Sequence, residues 1–243
     1  MPARPRTPTF GLARVLSKRG ICSRSQGEKL AREGRVRVDG RVVRDPEFPI
    51  RGTERIEVDG GGATEAAPVY LAMNKPRGIV VTAADERGRD TVYSLLEGAG
   101  LPWLGPVGRL DKASEGLLLL SNDTVWAAGI TDPATHVPKT YHVQVAGHPD
   151  ASTLQAMLAG IVDEGEQLKA AAASLLRQGE KNAWLEVTLD EGRNRHIRRL
   201  MQVLGFDVQR LVRVAIGELP LGTLPKGAWR HLSDSEVAAL RRR

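Results

Sequence analysis

The chain is poor in cysteine, with only Cys22 among its 243 residues. A lone thiol can neither close an intrachain disulfide nor build a zinc site of several thiolates, so an oxidising compartment is not required. No apolar run approaches the ~20 residues that a membrane helix needs. The segment Met1 to Phe10 holds three prolines and two arginines where a signal peptide would have an apolar core. His136, His142, His148 and His231 lack metal-ligand spacing, and no glycine-rich phosphate loop of the nucleotide-binding kind is present. The expectation is a soluble cytoplasmic protein with no metal, no cofactor and no membrane partner. A hydrophobic share of 41% and a charged share of 26% support one large or two smaller cores and exclude collagen-like and wholly disordered chains.

The formal net charge is +6, and it is unevenly placed. Residues 1–51 carry 13 Lys/Arg against 5 Asp/Glu, whereas residues 52–243 carry 22 against 24. A cationic module joined to a near-neutral body fits polyanion binding, because clustered cations gain by releasing the counterions condensed on nucleic acid. A solvated basic arm is the plain alternative.

Apolar spacing organises the rest. Leu12, Val15 and Leu16 share a helical face closed by Gly20, and Ser23 or Ser25 can open a second short helix ending at Gly34. Arg35–Val38 alternates, Asp39-Gly40 favours a tight turn, Val42-Val43 returns, and Arg55–Val58 is a further strand. The three glycines Gly60 to Gly62, followed by Ala63 to Pro68, read as a linker. Beyond it, strands are expected at 69–73, 117–120, 140–145 and 184–189, and helices at 152–159, 194–204 and after the capping box Ser233 to Glu236. Without a regular βαβ rhythm, the reading is α+β with a mainly antiparallel mixed sheet flanked by helices, preceded by a small helix–helix–hairpin domain. The expected boundaries are 9–60, a linker at 61–68, and 69–240.

Chemistry concentrates in the run Gly105 to Gly116, which leads directly into Leu117-Leu118-Leu119-Leu120. A charged loop entering an apolar strand puts Asp111 at the rim of the core, where poor solvation is expected; a turn aspartate bonding its own backbone is the bland reading. In Arg193 to Met201, Ile197, Leu200 and Met201 share one face and leave Arg195, Arg198 and Arg199 elsewhere. Tyr141 shares a strand face with Val143 and Val145, so a core tyrosine is a serious alternative for it.

Gly108-Arg109-Leu110-Asp111 with Ser114 to Leu120 and Asn122-Asp123 closely resembles the signature of the RsuA/RluB/RluE/RluF family of bacterial ribosomal RNA pseudouridine synthases. Asn74-Lys75-Pro76-Arg77-Gly78, Lys139-Thr140-Tyr141, Glu191 to Arg195 and the tail from Arg213 to Arg230 agree in order. The segments Gly20 to Arg24 and Gly34 to Gly40 resemble the small RNA-binding domain named after ribosomal protein S-four. The resemblance implies isomerisation of an rRNA uridine to pseudouridine, 23S favoured over 16S, with catalytic roles for Asp111, Tyr141 and Arg198. Asp111 would serve as nucleophile or base, Arg198 would pair with it, and Tyr141 would stack on the target base. Arg24, Arg35, Arg37, Lys75, Arg109, Arg193, Arg195 and Arg199 are the expected RNA contacts, with rRNA, free or in an assembly particle, as partner and the chain acting as a monomer. His196 stands where the family usually has glutamine, Leu200 where it has methionine, and Thr124 where glycine often follows Asn-Asp. Two rivals remain: a catalytically silent RNA-binding assembly factor on this scaffold, and a glycoside or nucleoside hydrolase pairing Asp111 with Glu115.

Overall fold

The computed structural model describes residues 9–62, 66–83 and 88–241, which divide into two compact units. The first gathers residues up to Val69 together with Gly98–Gly105 and Ser121–Thr124. It opens with α1 (Leu12–Lys18) and α2 (Arg24–Arg32). Ser23 caps α2: its hydroxyl accepts the Gln26 N–H at 3.1 Å while the Gln26 side chain accepts the Ser23 N–H at 2.9 Å. That reciprocal pair satisfies two donors the helix start would otherwise leave bare.

A four-stranded sheet follows, β1 (Val36–Val38), β2 (Arg41–Val42), β3 (Ile56–Val58) and β4 (Gly61–Gly62), in the order β2-β1-β3-β4. Leu12, Leu16, Val36, Ile50 and Ile56 fill the core between helices and sheet. Gly61 and Gly62, expected in a linker, instead pair with Val58 and Glu57. Asp59 and Gly60 both take positive φ, 52° and 81°, which turns the chain back on itself as two-residue hairpins require. Of the rest of the expected linker, residues 63–65 lie outside the described residues; in 66–69, the Ala66 N–H donates to Arg19 O at 3.1 Å and the Asn122 amide holds Ala67 and Val69.

The second unit is built on a sheet of nine strands among the described residues. Seven of them matter here: β5 (Tyr70–Lys75), β6 (Glu115–Ser121), β7 (Lys139–Ala146), β8 (Ala172–Gln178), β9 (Asn182–Leu189), β10 (Val208–Ile216) and β11 (Trp229–His231). Their order is β8-β9-β7-β10-β6-β5-β11. The pairings with recorded register are antiparallel except β10 with β6, which run parallel. β10 interleaves at the centre although its mixed Arg/Val/Leu pattern gave no clean strand signal. The helices are α3 (Thr124–Thr131), α4 (Ala151–Ala159), α5 (His196–Val203) and α6 (Asp234–Arg241).

Two cores result. Val143, Val145, Leu185 and Val187 pack with Ile197, Leu200 and Met201 of α5. Leu117 and Leu119 pack with Trp126, Ile130, Ile216 and Leu240. Leu117 to Leu120 are all fully buried, so both faces of β6 are covered. Gly116, the second residue of that strand, has φ 103° opposite Arg213, and a side chain there would overlap the Arg213 backbone. Gly116→Ala is therefore expected to destabilise the chain by about 2–4 kcal/mol, read as a lowered urea midpoint; an unchanged midpoint would contradict the close approach.

Candidate active site

The loop 108–114 is fastened from beneath by Lys75 at the end of β5. Its side chain is completely buried, and Nζ donates to Ser114 O at 2.8 Å, Pro76 O at 3.0 Å and Asp111 O at 3.3 Å. Gly78 N–H donates to Lys112 O at 2.8 Å and Ser114 N–H to Asp111 O at 2.9 Å. These bonds hold the backbone of residue 111 while leaving the residue exposed, in contrast to the poor solvation expected of it. Burial pushes the Lys75 ammonium down to about 8, against the opposing pull of Glu115 and Asp111. Lys75, expected to contact RNA, is a buried strut with all three donors spent.

Asp111 and Tyr141 line one cavity of about 550 Å³, within the range of ~300–1,000 Å³ typical of small-ligand sites. Arg109, Arg193, Arg195 and His196 line it as well. Tyr141 reaches it from the core face of β7, half-buried against the aliphatic cluster, so packing and cavity lining are both true of this ring. Among the described residues Arg109 and Arg195 make no ion pair. Arg195 caps α5 in the left-handed region, φ 50°, a conformation unusual for a side chain of this size.

Arg198 is not in that cavity wall. Its Nη1 donates to Val208 O at 3.0 Å and its Nη2 to Ala113 O at 3.3 Å, and among the described residues it makes no hydrogen bond to the Asp111 carboxylate. Burial and the neighbouring Arg195 press its pKa down, while the charge of Asp111 acts in the opposite sense, so the two groups are within electrostatic reach. The contact to Ala113 makes Arg198 a brace of the aspartate loop. It also lines a second cavity of about 450 Å³ with Arg195, Gln202, Phe206 and Asp207.

The remaining arginines fall into two groups. Arg199 is consumed by Asp163 at 2.5 Å and by Glu166, which ties α5 to the hairpin Ile161–Leu168. Arg193 pairs with Glu191 at 3.0 Å while still lining the cavity. In the first unit Arg24 pairs with Glu47 at 3.1 Å, and Arg35 grips Asp59 through bonds of 2.7 and 2.6 Å. Arg37 is exposed; its side chain donates to the Gly40 carbonyl at 3.0 Å and makes no ion pair among the described residues.

Two further residues alter the expected picture. Glu115 is buried, bound by Arg210 at 2.9 Å and Lys226 at 2.5 Å, and does not line the cavity. Burial would raise its pKa, but the Lys226 and Arg210 charges outweigh it and hold the carboxylate low. It is therefore no acid partner for Asp111, and the hydrolase reading loses its second carboxylate. His196 is buried, with its pKa pushed down by burial, and its Nε2 accepts the Lys169 N–H at 3.1 Å. The ring proton thus sits on Nδ1. Sequence reasoning missed the second cavity, because Gln202, Phe206 and Asp207 form no motif and are assembled only by the turn between α5 and β10.

A fastened loop aspartate beside a tyrosine in an arginine-ringed cavity suits chemistry on a flat anionic ligand. The model for the RNA pseudouridylate synthase family matches residues 69–203, and the S4 domain model matches residues 10–56. The chain belongs to the RNA pseudouridine synthase family, and as such it is an isomerase. It is 36% identical to the ribosomal large subunit pseudouridine synthase B of Bacillus subtilis, over 95% of each chain. A Mycobacterium tuberculosis protein described as an uncharacterized RNA pseudouridine synthase is 40% identical, covering 94% of this chain and 92% of that one. A crystal structure of a pseudouridylate synthase superposes with a TM-score of 0.67 at 30% identity, covering 95% of this chain and 99% of that one.

Lys75→Met should lower stability at pH 7, since three carbonyls lose their donor. Between about 8 and the ordinary lysine value of 10.5 the wild-type folded state binds fewer protons than the unfolded chain, so its stability gains with pH there. The variant lacks that gain. Urea unfolding at pH 7 and pH 10 should show the gap between the two proteins widening; a constant gap would refute a depressed Lys75.

Proposed function

We propose that this chain converts one uridine of ribosomal RNA, in the 23S molecule, to pseudouridine in the cytoplasm. The observation that carries the reading is that Asp111 and Tyr141 share one open cavity whose other charged lining residues are the cations Arg109, Lys112, Arg193 and Arg195. The named large-subunit relative, similar over nearly the whole of both chains, supports the choice of substrate.

The reaction breaks the bond from ribose to N1 of uracil, turns the base, and joins the ribose to C5. Reactant and product have the same atoms, so the chemistry asks for a nucleophile or base and for a fixed base orientation. In this reading Asp111 supplies the carboxylate, Tyr141 offers its ring to the flipped base, and Arg198 is a positioning residue that braces the loop at Ala113. Withdrawing the uridine from its stack costs a few kcal/mol, which stacking and phosphate contacts offset. Arg109 and Arg195 are the main phosphate contacts of the cavity, and Arg193, paired with Glu191, adds a weaker one beside them. Residues 9–60, with exposed Arg37 among their cations, form the RNA-binding domain, and residues 69–240 the catalytic domain.

Asp111→Asn should bind rRNA within a few-fold of wild type yet lose activity by at least ~10³-fold. The check is pseudouridine mapping of rRNA from cells lacking the protein, complemented with either form; modification restored by the variant would sink the assignment. Arg109→Gln should weaken RNA binding and reduce the salt slope by ~0.7–0.9. Arg199→Gln, which removes an internal ion pair, should leave that slope unchanged in the same titration.

A further inference from the structure

The second cavity belongs to no step derived above. About 450 Å³ in volume, it lies between α5 and the start of β10 and is lined by Arg195, Arg198, Gln202, Phe206 and Asp207. Arg195 lines both cavities, which makes them neighbours along one wall. Resting on the reading of Asp111 as the reacting group, we infer that this cavity is a subsite for a ribonucleotide adjoining the target uridine.

The chemistry of the wall is that of a nucleotide site. Arg195 and Arg198 place two positive charges against the single negative charge of Asp207, a net +1 facing one phosphodiester of −1. Among the described residues Arg198 answers no carboxylate by hydrogen bond; two of its nitrogens serve backbone carbonyls and its buried Nε has no hydrogen-bond partner there. Phe206 is half-buried against the core and provides a flat apolar surface, on which base stacking is independent of base identity. Gln202 and Asp207 are exposed, and among the described residues their side chains make no hydrogen bond, so both are available to a ligand. A carboxylate in an otherwise cationic pocket repels phosphate but accepts a hydrogen bond from a ribose 2′-hydroxyl, the group that separates RNA from DNA. Mixed charge of this kind fits a whole nucleotide better than a bare anion.

Asp207 and Gln202 can be replaced without opening the core. The test uses synthetic RNA stem-loops spanning the uridine located by mapping, with a 2′-deoxy or an abasic residue placed at either flanking position. At one flank, the 2′-deoxy change should lower wild-type kcat/KM about tenfold, mostly through KM, and the abasic change at least as much. Asp207→Ala should lose about as much on the all-ribose RNA and then be indifferent to the 2′-deoxy change at that flank. Gln202→Ala should likewise raise KM with kcat unchanged. A wild type that is active but blind to both flanks overturns the subsite alone, as does an Asp207→Ala loss that multiplies independently with the 2′-deoxy loss. A wild type that forms no pseudouridine in any rRNA would instead refute the functional reading and the subsite with it.

Discussion

A lysine ammonium with no exposure to water holds this site together. Lys75 pays a desolvation penalty large enough to depress its pKa, and such a charge survives only where every donor finds an acceptor. The acceptors it finds are the carbonyls of Pro76, Asp111 and Ser114, so the same three bonds that make the buried charge tolerable fix the loop that carries the aspartate. A neutral or shorter residue would leave those carbonyls bare, and the loop would lose its reference to β5. The exposure of Asp111 follows: the backbone is gripped from the core side, and the residue is free toward solvent and ligand.

From that anchor the rest of the site is organised by sheet pairing. β6 leaves the loop as a strand buried on both faces, and its parallel contact with β10 needs a glycine at the crossing with Arg213. Because β10 also pairs with β7, the strand bearing Tyr141 is held in register to the loop bearing Asp111 through one intermediary. Glu115 belongs to this framework. Two cations neutralise it where the loop becomes strand, and this spends Arg210 and Lys226 on architecture.

Much of this was legible in the chain itself, for identifiable reasons. The Ser23 capping box, the Leu117–Leu120 run and the alternation through Tyr141 are local signals, and local signals survive into the fold. β10 was not legible, because Arg210 and Arg213 interrupt its apolar pattern, and both are buried or half-buried by pairing with groups far away in sequence. The glycines at 61 and 62 looked like a linker because composition cannot reveal that Asp59-Gly60 is a turn. Charge misled in the same way: Lys75, Arg199 and Arg35 read as RNA contacts, yet each is committed to protein acceptors. A basic residue type announces a cation, and only the folded chain shows whether that cation has already been answered.

That distinction separates the arginines in physical terms. An ion-paired guanidinium adds little to RNA affinity, since binding must first break a pair or leave a carboxylate beside a phosphate. Among the described residues Arg109 and Arg195 have no such pair to break, and Arg195 is held at the start of α5 in a backbone conformation that costs energy. Strain of this kind persists where the surroundings enforce it, and here it keeps one guanidinium in the wall of two cavities at once. If one nucleotide enters the first cavity and its neighbour the second, the phosphate joining them must cross near Arg195. A single unpaired cation at that crossing would couple recognition of the neighbour to placement of the reacting base.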